Sequence, residues 1–586
     1  MLEVLHRAGC GRMTRWSRGT SQVTTPDILF FSSEKLPAPG FAELIVEDKR
    51  EGESFELRIV SSPEIQSILI PNDLKIPLSF LRREKISSTI SSAESVVVRG
   101  DVMNVASQLE GIDSSIYVLG NAFELRRDAR EFVKSLVALR SAVGSGRLIY
   151  APGILDVSNL ALLCYAGVDL FDSSLLVYQG SRGRLLTPEG TLMSEEAKWL
   201  VNSSDPEESI RHNLEAAWSE LQLVRHMLKL GRLRELVEMR VNSSPWSVAA
   251  LRILDLEFFE LQEMFTPVVG PSFYCNSKQS LYRPDVQRFR LRILERYIRP
   301  AHKRVLLLIP CSAKKPYSMS RSHRLFFQAM QAAKNNTVVH EVAVTSPLGV
   351  VPRELELFYP AAEYDIPVTG HWDNDEKAMV QEMVVKIADF GYDKIISHLS
   401  SEESFVKDVV DCVDTSSGRP TSNEALEKLS SELSSICSSF PYVSRGEDRV
   451  GNMESLARFQ FGEGGEVLVE DCSVVGNYPY LRILHENVQT AMLTPERGML
   501  SLTMQGGEKL LPTHLNIVQM ANFELKGNLF AIGVEDADRR IRSGDEVLVL
   551  NNGELEAVGV ASMCGEEMMN AERGEAVKIR HRRSRS

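Results

Sequence analysis

The sequence predicts a multidomain α/β plus β protein, and three features of its patterning carry that expectation. From about residue 20 to 265 short apolar runs alternate with longer amphipathic ones. Near residue 303 a second α/β pattern opens on a strand. Beyond a serine-rich stretch the rhythm changes to short strands separated by Gly and Asp turns. A length of 586 residues accommodates roughly four domains at about 150 residues each.

The N-terminal residues scatter Arg7, Arg12, Arg15 and Arg18 among polar side chains, without the apolar core of a signal peptide, and read as the first hairpin of a domain. Further on, SSIYVLG, FELRRDAREFVKSLVALRSA, RLIYAPG and LALLCYAGVDLFD read as strand, helix, strand, then helix and strand. That alternation calls for parallel strands with crossover helices, closed as a barrel or open as a doubly wound sheet. Helical patterns follow at 213–240 and 245–265, separated by a turn at 242–244.

Between Lys278 and Arg304 nine basic residues face only Asp285 and Glu295. Arg288, Arg292, Arg296 and Arg299 recur at helical spacing beside an apolar stripe of Val286, Phe289, Ile293 and Tyr297, which predicts an amphipathic helix with one cationic face. Both a solvated surface and a phosphate-tracking role stay open for that face. The run KRVLLLIP (303–310) is too short and too apolar for a helix and reads as a buried parallel strand. Strands at VVHEVAVTS and DKIISHLS alternate with helices at SHRLFFQAMQAAK and DEKAMVQEMVVKIADFG. Residues 415–440 are serine-rich and read as a linker carrying one short helix, and GNLFAIGV, GDEVLVL, ELEAVGVASM and GEAVKIRH form a β-rich module. No period suggests a solenoid.

With 43% hydrophobic and 25% charged residues and no apolar run of bilayer length, the composition is that of a soluble globular protein, expected in the cytoplasm. The eight cysteines are scattered without a C-x-x-C pair, so no structural zinc, other metal or disulfide framework is expected. The net charge of −13 disfavours a nucleic-acid partner on its own, but positive charge is concentrated in the 278–304 segment and in Lys578, Arg580, Arg582, Arg583 and Arg585.

Directly after the 303–310 strand comes PCSAKKPYSMSRSH. Ligand sites of open α/β sheets lie at the carboxyl ends of strands, where this cluster of Cys, Lys, Tyr, Ser and His falls. Cys311 sits where helix N-terminal amides and Lys314 or Lys315 can stabilise a thiolate, and Ser320 or Ser322 can cap the next helix, placing His323 in its first turn. A polar loop with a capping serine and a buried cysteine would read the same way.

Pro310, Cys311, Lys315, Pro316, Tyr317, Ser320, Ser322 and His323 satisfy every fixed position of P-C-x3-K-P-Y-x2-S-x-S-H, and in these the chain resembles the archaeosine synthase alpha-subunit family. SPLGVVPRELE and YPAAEYDIPVTGHW also look like that family's central domain. The opening GRMTRWSRGTSQVTTPDILFF and LIYAPGILDVSNLALLCYAGVDLFDSS resemble the tRNA-guanine transglycosylase barrel, with Asp169 at the position of its nucleophilic aspartate. The second carboxylate of that fold, in D-S-G-G, is missing where IPNDLKIPLSFL stands. His212 matches a zinc ligand without the accompanying cysteines, so the barrel reads as a degenerate copy. IRSGDEVLVL, AVGVASM and GEAVKIRHRR resemble a PUA domain, a small RNA-binding β-barrel.

The resemblance implies a degenerate transglycosylase-type (β/α) barrel at 1–270, a catalytic α/β domain at 271–414, a linker at 415–440, a connecting domain at 441–494 and a PUA domain at 495–586. It implies tRNA modification in archaeosine biosynthesis: an amine, free lysine or another donor, adds to the nitrile of 7-cyano-7-deazaguanine in the tRNA D-loop, and a radical-SAM beta subunit completes the product. It requires no cofactor or membrane in this chain and leaves a homo-oligomer open. Cys311, Lys315 and His323 are the catalytic candidates, as nucleophile, as a group that lowers the Cys311 pKa or contacts a phosphate, and as proton shuttle. Direct attack by the amine, with Cys311 only packing the loop, is the alternative. Tyr317, Ser320, Ser322 and Asp169 are candidates for substrate binding; Arg288, Arg292, Arg296, Arg299, Lys578, Arg580, Arg582 and Arg583 for RNA. Base exchange by a true transglycosylase and a non-catalytic tRNA-binding scaffold are the rival functions.

Overall fold

A computed structural model describes residues 2–18, 21–51, 54–60, 65–69, 90–91, 95–98, 109, 111–202 and 205–583. The whole IPNDLKIPLSFL stretch and Arg585 lie outside the described residues. Two units emerge from the packing. One holds Met1–Thr266 with Phe530–Gly533 and Glu566–Ala576, and the other Pro267–Leu529, Val534–Gly565 and Val577–Ser586.

In the first unit the strands Leu2–Ala8, Gly11–Arg18 and Ser21–Thr25 pair antiparallel, so the N-terminus is the expected hairpin with a third strand added. A nine-stranded sheet follows. Its centre is six parallel strands in the order Leu44–Glu51, Asp27–Ser32, Leu170–Asp172, Leu148–Tyr150, Ile116–Leu119 and Ser95–Val98, and short antiparallel strands extend both edges. The edge strand Ile65–Leu69 runs close beside Ser95–Val98 at the far side of the sheet, which leaves the sheet curled and nearly closed. Residues 95–98, 116–119, 148–150 and 170–172 are buried throughout, as expected of parallel strands covered on both faces. The helix Ala129–Val143 starts at Asp128, whose carboxylate accepts from the amides of Arg130 and Glu131, and ends at Gly144 with φ of 68°. The long helical pattern resolves into Pro206–Lys229, Leu233–Arg240, Pro245–Glu257 and Phe259–Phe265.

The second unit is built on a five-stranded sheet in the order Gly349–Pro352, Val339–Thr345, Val305–Pro310, Lys394–Ser397, Val413–Asp414. Val305–Pro310, the run read as a buried strand, lies in the middle and runs parallel to both neighbours. Helices Arg321–Gln331 and Asn374–Ala388 stand where the amphipathic patterns place them.

Two expectations change here. The serine-rich stretch is not a linker. Its helix Asn423–Cys437 buries Leu429, Leu433 and Cys437 in the same apolar core as the central sheet, while serines occupy much of the rest of its surface. The boundary at residue 494 also cuts a structural element, because Leu500–Leu502 is the fourth strand of the antiparallel sheet begun by Cys472–Asn477, Tyr480–His485 and Val488–Leu493. One continuous core runs from Val268 through these segments to Val558. The β-rich module is a six-stranded sheet in which Glu575–Arg582 is a paired strand, so Lys578, Arg580 and Arg582 belong to the sheet rather than to a free tail.

Candidate active site

The site is assembled where Val305–Pro310 ends. The Cys311 amide still donates to Val344 O at 3.1 Å, which holds the cysteine in register with the neighbouring strand before the chain turns away. The loop then folds back into the helix Arg321–Gln331. Ser320 caps that helix, accepting from the His323 amide at 3.2 Å, and the Ser322 hydroxyl lies 3.3 Å from that of Ser320.

His323 is buried and doubly engaged. Its Nε2–H donates to Pro310 O at 2.9 Å, and its Nδ1 accepts from Arg353 Nη2 at 2.9 Å, an arrangement that requires the neutral ring. Burial, reinforced by the Arg353 guanidinium, lowers its pKa to about 3. A proton shuttle must change protonation state near working pH, and His323 is held away from that change. It instead ties the first helical turn to the residue preceding Cys311. Arg353 is in turn fixed by Glu341 and Glu356, the latter at 2.7 Å.

Tyr317 stacks on the His323 ring at 5.5 Å and is buried. Its hydroxyl meets that of Tyr364 at 2.7 Å. Tyr364 meets Thr345 Oγ1 at 2.5 Å, and Thr345 donates to Ser346 O at 3.0 Å. Tyr317 and Ser320 therefore build the loop and offer no exposed group to a substrate, a correction to their expected binding roles. Thr345 and Tyr364 fall outside the motif, although a threonine closing an apolar strand beside a catalytic loop is a usable signal in the sequence.

Cys311 and Lys315 face each other's fields on this wall. Burial pushes the Cys311 thiol up; Thr345 and Lys315 oppose that rise, and Glu403 adds to it. Burial pulls the Lys315 ammonium down, opposed by Cys311, Asp365 and Cys275, and its Nζ lies 4.0 Å from the centre of the Tyr364 ring. Desolvation favours the neutral form of each, while each group's field favours the charged form of the other and so the thiolate–ammonium pair.

The barrel carboxylate falls elsewhere. Asp169 immediately precedes the strand Leu170–Asp172, at the end opposite to where sites of such barrels open. It is 1% exposed and accepts from Arg12 at 2.8 and 2.9 Å, Arg140 at 2.7 Å and the Ile149 amide at 2.9 Å. Burial alone would raise its pKa, but the two guanidiniums hold it below the usual value. Asp169 is thus an internal ion-pair centre, not a substrate ligand. The carboxylate at the strand's carboxyl end is Asp172, which accepts from Tyr150 Oη and the Gly153 amide, both at 2.8 Å. The direction of the strand could have singled it out from the sequence. His212 lies on the helix Pro206–Lys229, and among the described residues no three His, Cys, Asp or Glu side chains gather to hold a metal.

The cationic helix face is also corrected. The helix Pro284–Glu295 ends before Arg296, and Arg288 and Arg292 turn inward beside the buried stripe, Arg288 donating to Pro267 O at 2.8 Å. Arg299 binds Phe390 O at 3.0 Å and Gly391 O at 3.3 Å. Arg580 pairs with the buried Glu546 at 2.7 and 2.9 Å. Lys578 and Arg583 are exposed and Arg582 lies at the exposed end of the same strand, with Arg583 also 2.5 Å from Glu554.

Comparison with known proteins matches residues 99–210 to the queuine tRNA-ribosyltransferase family, 519–583 to the PUA domain, and 286–433 to a domain family of unknown function, DUF5591. A transglycosylase-type region, a central α/β domain carrying the Cys311 loop and a PUA domain define the class. The chain is 34% identical over 501 residues to archaeosine synthase subunit alpha of Methanosarcina acetivorans, covering 80% of each chain. It is 35% identical over 488 residues to that of Thermococcus kodakarensis, covering 79% of this chain and 80% of the relative. With archaeosine synthase of Methanocaldococcus jannaschii it shares 30% over 549 residues, 90% of this chain and 91% of the relative. The chain belongs to the archaeosine synthase family.

Proposed function

We propose that this chain modifies tRNA by adding the side-chain amine of free L-lysine to the nitrile of 7-cyano-7-deazaguanine in the D-loop, and that a radical-SAM beta subunit releases archaeosine from the adduct. The name subunit alpha borne by two of the relatives supports a partner chain. The observation that carries the chemistry is the pairing of Cys311 with Lys315 at the carboxyl end of the central strand, where each group's field favours the charged form of the other against burial.

Lys315 takes the thiol proton, and the Cys311 sulfur bonds to the nitrile carbon, giving a thioimidate whose nitrogen receives that proton. The lysine amine then bonds to the same carbon, the C–S bond breaks, and the amine's surplus proton returns to the thiolate. The net change is addition of an amine N–H across C≡N, with no oxidant or reductant needed. His323 and Ser320 act as positioning residues that hold the loop, and Tyr317 with Tyr364 forms its wall. Base exchange at Asp169 is disfavoured by its two buried arginine partners.

The test is mass spectrometry of nucleosides after incubating the full chain with nitrile-bearing tRNA and L-lysine, without any partner. The expected product is the nitrile nucleoside with one lysine added. No adduct with any amine would leave only a tRNA-binding scaffold, and incorporation of labelled free base into guanine-containing tRNA would restore base exchange.

A further inference from the structure

Beside the motif loop, lined in part by His323 but not by Cys311 or Lys315, lies a cavity of about 560 Å³ that the chemistry above does not use. Its walls come from the loop and helix Arg321–Gln331, the strand Val339–Thr345 and the first turns of the helix Arg445–Phe461. Met330, Met453 and Leu481 form apolar surface within it, and Met319 and Phe327 stand at its edge half exposed, at 50% and 52%. A volume of this size suits a drug-sized ligand.

The polar groups indicate what that ligand carries. The carboxylates of the cavity are largely satisfied from within the protein. Glu356 accepts from Arg353, the Ser318 amide and Tyr478, and Asp448 from His302 and Lys303. Glu341 uses Oε2 for both of its bonds to Arg353, which leaves Oε1 available. Asn452 Oδ1 is buried without a hydrogen-bond partner among the described residues, a costly state unless a ligand or water donates to it. One guanidinium, Arg353, serves both Glu341 and Glu356, so the interior keeps acceptor capacity and an excess of negative charge. Arg445 and Arg449 reach the same cavity and pair with no carboxylate among the described residues, and Arg324 adds a third guanidinium. These guanidiniums place positive charge at the more exposed part of the wall.

An ammonium group is a single point donor, whereas Glu341 Oε1 and the neutral Asn452 Oδ1 together suit an edge of several donors. A neutral, planar donor edge with an attached anion fits. We propose that this cavity is a nucleotide site, with a base lying against Phe327 and Met330, its N–H groups directed to Glu341 Oε1 and Asn452 Oδ1, and its phosphate held by Arg445 and Arg449. Purine bases with an N–H₂ edge, guanine above all, offer the matching donors. The proposal stands apart from the Cys311 chemistry and extends the tRNA reading by giving an unstacked nucleotide a second place to bind. The same chemistry occurs in a free nucleotide, and the test separates the two.

Equilibrium dialysis of the full chain against labelled GMP and AMP should show saturable binding, with inorganic phosphate and L-lysine at least tenfold weaker. Phe327→Ala and Arg445→Ala change exposed or half-exposed side chains and should each weaken GMP binding by fivefold or more without lowering the unfolding temperature. Displacement of bound GMP by excess tRNA assigns the site to an RNA nucleotide, and failure of tRNA to displace it assigns the site to a free nucleotide. The proposal is overturned if no mononucleotide binds at millimolar concentration, if L-lysine binds more tightly than GMP, or if both variants bind GMP as the parent chain does.

Discussion

His323 and Asp169 share a feature that a motif cannot reveal, since both are ionisable residues whose partners come from distant parts of the chain. His323 lies in a helical first turn, as its position after two serines implies, but burial, with Arg353 thirty residues later beside it, keeps the ring neutral. The pH consequence follows from its lowered pKa. The folded state resists protonation down to about 3, whereas the unfolded ring takes up a proton below about 6.5, so this residue's contribution to stability is lost as pH falls from 6.5 toward 3. The slope for one proton is at most about 1.4 kcal/mol per pH unit. His323→Gln, whose amide can both donate to Pro310 O and accept from Arg353, should therefore show a shallower loss of stability than the parent between pH 6.5 and 4.5 in denaturant titrations. It should also keep its single-turnover rate within tenfold. A shuttle would lose roughly a hundredfold or more. The cluster itself is legible at this scale, because eight residues at fixed spacing can be recognised without knowledge of the fold. The division of labour within it is not, since burial and cross-chain partners decide which members react and which brace.

Elements are most legible where periodicity and burial agree. The strand Val305–Pro310 and the helices Arg321–Gln331 and Asn374–Ala388 fall where apolar runs place them. The helix Asn423–Cys437 is easily underrated because its serine content suggests exposure, although Ala425, Leu429 and Leu433 keep a buried stripe at four-residue spacing. The Arg288–Arg292 face misleads for the opposite reason. Arginine at helical spacing reads as surface, yet a guanidinium that finds backbone carbonyls can be buried. The terminal strand Glu575–Arg582 now carries the RNA expectation, and because it is paired in a sheet, deleting it would disrupt the fold rather than remove a tail. Replacing Lys578, Arg582 and Arg583 together by Ala should weaken tRNA binding and flatten its dependence on salt, by about 0.7 to 0.9 in log–log slope for each phosphate no longer neutralised. Arg288→Ala should lower stability and leave the slope unchanged. An unchanged slope in the triple variant would place the RNA-binding surface elsewhere.

For the whole molecule, the order of a transglycosylase-type region, a central α/β domain and a PUA domain is readable from the sequence and agrees with the family matches. The continuity of the second core from Val268 to Val558 is not, because apolar periodicity tells which face is buried but not against which segment. Chemistry at Cys311 and Lys315, with the barrel reduced to a scaffold, is the proposal on which the rest depends. Single-turnover adduct formation on nitrile-bearing tRNA, with saturating L-lysine and folded full-length variants, tests it most directly by comparing Cys311→Ala with Asp172→Asn, which alters the carboxylate at the barrel's carboxyl end. The expected result is a loss of at least about a hundredfold for Cys311→Ala and less than tenfold for Asp172→Asn. A Cys311→Ala variant that reacts at the parent rate, together with a large loss for Asp172→Asn, would contradict it and return the reaction to the barrel.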